Sequence, residues 1–127
     1  MLVEHDRTYS ALVKEALEKE NYRVRIAENG AKALEMYLDK KPDLLITNVP
    51  LPLMNGLELV IRIRRYNKRM PIVFLSDLKT TDDAISGYNA GGNEYLRKPM
   101  EMAELMLRIR VLLESAAHWG KRKKSFC

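Results

Sequence analysis

The chain has 127 residues, 46% of them hydrophobic and 31% charged, enough for one domain with a buried core and too few for two of ordinary size. No apolar run is long enough to cross a bilayer and no basic-plus-apolar signal segment opens the sequence, so a cytoplasmic protein without a membrane partner is expected. One cysteine, Cys127, excludes an internal disulfide or a cysteine zinc site; four of the charges behind the net +5 lie in Lys121-Arg122-Lys123-Lys124, so the body is nearly neutral and the run reads as a basic linker.

In chain order, Met1-Leu2-Val3 is a short strand, followed by a helix from Asp6 to about Glu20 that Asp6 caps, with Tyr9, Leu12, Val13, Ala16 and Leu17 as its apolar stripe. "YRVRIAENG" is a strand with Val24 and Ile26 alternating. Asn29-Gly30 turns it into a second helix, "AKALEMYLDKK", which Pro42 ends. "DLLIT" and "PIVFLS" are continuous apolar runs, as strands covered on both faces require. Between them "GLELVIRIRRYNKR" has helical spacing with Leu57, Val60 and Ile61 expected inward. A helix around Asp82 to Ala90, a strand at Glu94-Tyr95-Leu96 and a last helix from about Glu101 to Ala116 complete the pattern.

Five βα units joined by helical crossovers predict an α/β fold, a doubly wound, five-stranded parallel sheet of the flavodoxin-like kind. The domain is expected over 1–117 and a basic linker over 118–127, toward a further domain not contained in this sequence. In such sheets functional groups gather beyond the carboxyl ends of the strands. That rule selects Glu4 and His5 after the first strand, Asn48 after the third, Ser76 and Asp77 after the fourth, and Lys98 after the fifth.

These positions, carried by "PDLLITNVPLPLMNG", "PIVFLSD" and "AGGNEYLRKPM", resemble the receiver domain of bacterial two-component response regulators over about residues 1–116. The resemblance implies a CheY-like fold and a pocket in which an acidic pair and an aspartate hold magnesium, the aspartate accepting a phosphoryl group from a histidine kinase. That chemistry asks for a carboxylate nucleophile, hard oxygen ligands and groups that receive the phosphoryl oxygens. Carried over, Asn48 stands at the phosphoacceptor position, and Glu4 and His5 at the acidic pair. Ser76 and Lys98 stand at the phosphoryl-binding positions, Tyr95 at the aromatic switch, and the Pro50 carbonyl at a metal-ligand position. The Lys98-Pro99 step matches one that is usually cis in the family.

The departures carry the functional expectation. The amide of Asn48 has no anionic oxygen to attack phosphorus, and His5 suits softer metals than magnesium. One carboxylate, Glu4, would face one lysine, Lys98, so magnesium binding is expected to be weak or absent and no bound cofactor or metal is expected. Asp43, five residues before Asn48 on the same strand, lies roughly 16 Å away and is too far to substitute.

The last helix, with Leu105, Ile109 and Leu112 on one side, is most similar to the branch of the family in which the receiver precedes a winged-helix DNA-binding domain. That branch dimerises through the fourth helix, fifth strand and fifth helix, and Glu94, Glu104, Arg108 and Arg110 match charged positions of that face. The expectation is therefore an atypical receiver of a transcription regulator, acting through a homodimer, with a sensor histidine kinase as a further partner and DNA contacted only through an absent effector domain. A conventional receiver disabled at position 48, a stand-alone interaction module, and a small enzyme using Glu4, His5, Ser76 and Lys98 are the alternatives. The enzyme is the least supported, because no nucleophile, base and orienting group are recognisable together.

Overall fold

A computed structural model describes the backbone over residues 1–77 and 80–125 and the side chains over 1–77 and 80–117; His118, Trp119, the basic run and Cys127 fall outside the described side chains. The elements are β1 (Leu2–Val3), α1 (Arg7–Lys19), β2 (Ile26–Ala27), α2 (Gly30–Asp39), β3 (Leu45–Thr47), α3 (Gly56–Arg64), β4 (Ile72–Ser76), α4 (Thr81–Ala90), β5 (Glu94–Arg97) and α5 (Met102–Ser125). All pairings are parallel in the order β2-β1-β3-β4-β5. The order reverses between β1 and β3, which opens a crevice beyond their carboxyl ends.

Helices α1 to α4 each start where a side chain accepts a free backbone N–H. Asp6 accepts from Tyr9 N at 3.1 Å, Asn29 from Lys32 N at 2.7 Å and Asn55 from Glu58 N at 2.9 Å, while Thr80 and Asp83 form a reciprocal capping box. Two apolar layers cover the sheet. Ala33, Tyr37, Leu59, Val60 and Ile63 pack α2 and α3 on one face; Val13, Leu17, Leu105 and Ile109 pack α1 and α5 on the other.

Three local expectations are corrected. Ile61, expected inward, is 41% exposed; Val60 is buried as expected, Leu57 packs partly buried against the same core, and Leu59 and Ile63 are buried with them. Apolar residues cover more than half of that helix's circumference, so periodicity alone left its rotation open. Gly56 fixes it: a Cβ there would stand 2.0 Å from the Asn48 carbonyl oxygen, so the glycine edge must face the end of β3. Leu12, placed on the α1 stripe, is 53% exposed. The last helix continues past Ala116 to Ser125.

Candidate functional site

The ladder sets the site before any side chain does. Glu4 N donates to Ala27 O at 3.0 Å and Asn48 N to Val3 O at 3.0 Å, which brings both residues to the crevice at the β1/β3 reversal. Lys98 N donates to Ser76 O at 2.8 Å, fixing the loop after β5 beside the end of β4. The Lys98-Pro99 peptide is cis.

Glu4, Asn48 and Ser76 are all buried. A carboxylate in such a place must be paired and hydrogen-bonded. Lys98 Nζ donates to Glu4 Oε1, and Asn48 Nδ2 donates to both carboxylate oxygens of Glu4 at 3.3 Å. Asp6 N adds a bond to Glu4 Oε2 at 3.1 Å. The other end of the amide is also engaged, since Asn48 Oδ1 accepts from Val49 N at 2.8 Å. Every polar atom of Asn48's side chain and both oxygens of Glu4 thus have partners within the chain.

Lys98 is held from a second side by Tyr9, whose ring centroid lies 4.3 Å from Nζ. A desolvated ammonium against an aromatic face is attracted by about 2 kcal/mol. Burial, with Glu4's charge adding to it, pushes the Tyr9 phenol above its usual range. The sequence offered Tyr9 only as part of an apolar stripe. Its role depends on the first turn of α1 lying over the loop after β5, which no local pattern encodes.

The remaining candidates divide. His5 is exposed and is not brought into the Glu4–Asn48–Lys98 cluster. Ser76 hydrogen-bonds to Tyr95, whose phenol burial pushes up while that bond pulls against the shift. Tyr95 is packed inward, 8% exposed, with its ring 5.8 Å from that of Phe74. Gly87 makes this packing possible: a Cβ there would meet Tyr95 Cδ2 at 2.6 Å and Phe74 Cδ2 at 3.1 Å. Gly87→Ala is expected to push the Tyr95 ring outward and to cost about 1–3 kcal/mol by overpacking. Denaturant unfolding followed by tyrosine fluorescence checks both effects.

Magnesium does not fit this donor set. The carboxylate of Glu4 is already neutralised by Lys98, the amide oxygen of Asn48 is occupied by Val49 N, and His5 is exposed. Among the described residues no three His, Cys, Asp or Glu side chains are grouped to hold a metal ion. At the other candidate face, Arg108 lies between two acids of its own chain, 3.3 Å from Glu94 and 3.5 Å from Glu104, while Arg110 is exposed.

Comparison with known proteins agrees with this geometry. The family model for the response regulator receiver domain matches residues 1–110. The transcriptional regulatory protein CpxR of Escherichia coli is 34% identical over 125 residues, covering 98% of this chain and 53% of its own length. Response regulator MprA of Mycobacterium ulcerans is 33% identical over 113 residues, covering 89% of this chain and 49% of its own. The chain therefore spans about half the length of these curated relatives. A crystal structure described as that of a response regulator from Chloroflexus aurantiacus is 35% identical with a TM-score of 0.85, covering 89% of this chain and 94% of the other. The receiver domain of the Francisella response regulator 1452 is 25% identical with a TM-score of 0.81, covering 89% and 93%.

Proposed function

The chain belongs to the response regulator receiver domain family, and on that premise we propose that it is a receiver that signals without phosphorylation, its pocket neutralised from within and its output carried by dimerisation. The observation that carries this reading is the full engagement of Glu4 by Lys98, Asn48 and Asp6 N. In a phosphorylated receiver the lysine must be released toward the incoming phosphoryl oxygens, and a carboxylate at position 48 must attack phosphorus. Here the lysine's partner is a buried carboxylate and position 48 holds an amide that donates to it.

Dimerisation through α4, β5 and α5 is supported by what that face exposes. Ile85 and Tyr88 on α4 and Leu107 and Val111 on α5 are each about half exposed, beside the Glu94, Arg108 and Glu104 charges. Apolar residues ringed by charge fit an isologous interface, in which Arg108 exchanges its own acids for those of the partner copy. The relatives named as transcriptional regulators support a place ahead of an effector domain, with a histidine kinase as an optional input. Sedimentation equilibrium is expected to show dimers in the absence of any phosphoryl donor, and Arg108→Glu to weaken them by about tenfold, the equivalent of one charge-assisted contact. A monomer at all accessible concentrations, with or without donor, would overturn the dimeric output.

A further inference from the structure

Composition made the body of the chain look nearly neutral; the fold shows that it is polarised. Helices in this sheet run opposite to the strands, so the turns 18–25, 39–43 and 64–69 all lie at the strand-start end, away from the Glu4–Lys98 pocket. Those turns carry nine lysines and arginines against four acids, whereas the rest of the chain before the basic run carries nine against thirteen. They are also contiguous. Arg23, Arg25, Lys40 and Lys41 line one groove of about 870 Å³, and the Leu45 N to Pro71 O bond, at 3.0 Å, ties the second turn to the third.

Two of the cations at this end serve the fold. Arg25 donates to Met36 O and Lys40 O, and Arg64 donates to Gly91 O, Asn67 O and Asn93 Oδ1. Lys19 is paired with Glu15. The remaining six, Arg23, Lys40, Lys41, Arg65, Lys68 and Arg69, are exposed and form no ion pair among the described residues. Most cations elsewhere that are described, including Arg7, Lys32, Arg62 and Arg108, have an acidic partner. The third turn is ordered: Asn67 Oδ1 accepts from Arg69 N and Met70 N, both at 3.0 Å. Within it stands Tyr66, 63% exposed, in "RRYNKR".

We infer that the strand-start end of this receiver is a nucleic-acid contact surface, which takes the phosphate backbone of DNA on Arg65, Lys68, Arg69 and the groove-lip cations. Unpaired cations on an ordered turn match a regular line of phosphates, and an exposed tyrosine among them offers a ring to sugar or base. A lipid surface is less well matched, because peripheral binding needs an apolar face beside the charge. The backbone of α5 leaves the same end and runs to Ser125. Contact made by the receiver itself goes beyond the expectation that DNA is reached only through a separate effector domain.

The test is fluorescence anisotropy of a labelled random-sequence DNA duplex with the 127-residue chain at low salt. Binding is expected, with log Kd against log salt having a slope that corresponds to about three phosphates. The Arg65→Glu/Lys68→Glu/Arg69→Glu variant is expected to lose about tenfold in affinity and to flatten that slope. An equal charge change away from the surface, Arg7→Glu/Lys14→Glu/Lys32→Glu, is expected to lose much less, with circular dichroism confirming that both variants fold. Equal losses in the two variants would overturn the proposal, because net charge alone would then act. So would loss of binding on alanine substitution of Lys121 to Lys124 alone with the turn variant still binding, or binding to anionic vesicles with none to DNA.

Discussion

Lys98→Met is expected to lower the stability of the fold by about 3 kcal/mol at neutral pH, because it leaves the buried Glu4 charge without its cation. The figure is at the low end for a broken buried pair, since Asn48 Nδ2 and Asp6 N continue to donate to the carboxylate. Urea unfolding measures it as a shift in midpoint at unchanged slope. The pair is coupled, so adding Glu4→Met to Lys98→Met is expected to recover most of the loss: two apolar groups of matching length leave no charge to strand. Additive losses in the double variant would mean that Glu4 and Lys98 do not neutralise one another. Tyr9→Leu is the milder form of the same experiment, because it removes the ring from beside Lys98 while leaving the ion pair in place.

Asn48→Asp has the opposite logic and a comparable effect. The amide nitrogen that donates to Glu4 at 3.3 Å becomes a carboxylate oxygen, so a hydrogen bond turns into a like-charge contact in a buried pocket with one lysine. Two unit charges at about 4 Å repel by about 4 kcal/mol at an effective dielectric of 20, part of which Lys98, bonded to Glu4, offsets. A net loss of about 2–3 kcal/mol is expected without divalent cations. The two carboxylates then form the hard-oxygen set that the Glu4–Asn48 pair lacks, so millimolar magnesium is expected to restore part of the lost stability in the variant and to leave the unsubstituted chain unchanged. Thermal unfolding with magnesium and with chelator separates the two cases; a magnesium-dependent rise in the unsubstituted chain would contradict the charge argument.

These two substitutions show which parts of the site could be read from the sequence. The strand-end rule needs only the order of elements and the apolar runs "DLLIT" and "PIVFLS", so Glu4, Asn48, Ser76 and Lys98 were legible before their distances were known. The Glu4–Lys98 charge balance followed from the same list. Contacts set by tertiary placement were not legible. Tyr9 reaches Lys98 only because α1 and the loop after β5 meet in the fold, and His5, one residue from buried Glu4, turns to solvent. In the same way, Ile61 fitted a helical stripe as well as Leu59 and Ile63 did, until Gly56 fixed the rotation of α3. Net charge averaged away the polarity of the molecule, because helix ends and strand starts contribute lysines and arginines from turns far apart in sequence.

The Gly87 and Tyr95 geometry links the pocket to the face proposed for dimerisation. With Tyr95 inward and bonded to Ser76, the surface of α4 and β5 is already in one packed arrangement, and Gly87 provides the space that holds it there. On the proposed reading, no phosphoryl group is needed to draw the ring in. Output would then depend on how much protein is present, by mass action on the dimer, rather than on occupancy of the pocket.

The most direct test of a pocket closed by its own ion pair is an amide NMR titration of the unsubstituted chain with magnesium and beryllofluoride, a phosphoryl mimic, following Ser76, Lys98 and the residues of α5. The account predicts no saturable shift at any of them. A saturable shift at Ser76 and Lys98 that reaches α5 would show that Lys98 leaves Glu4 for a phosphoryl-like ligand, and that the pocket still switches.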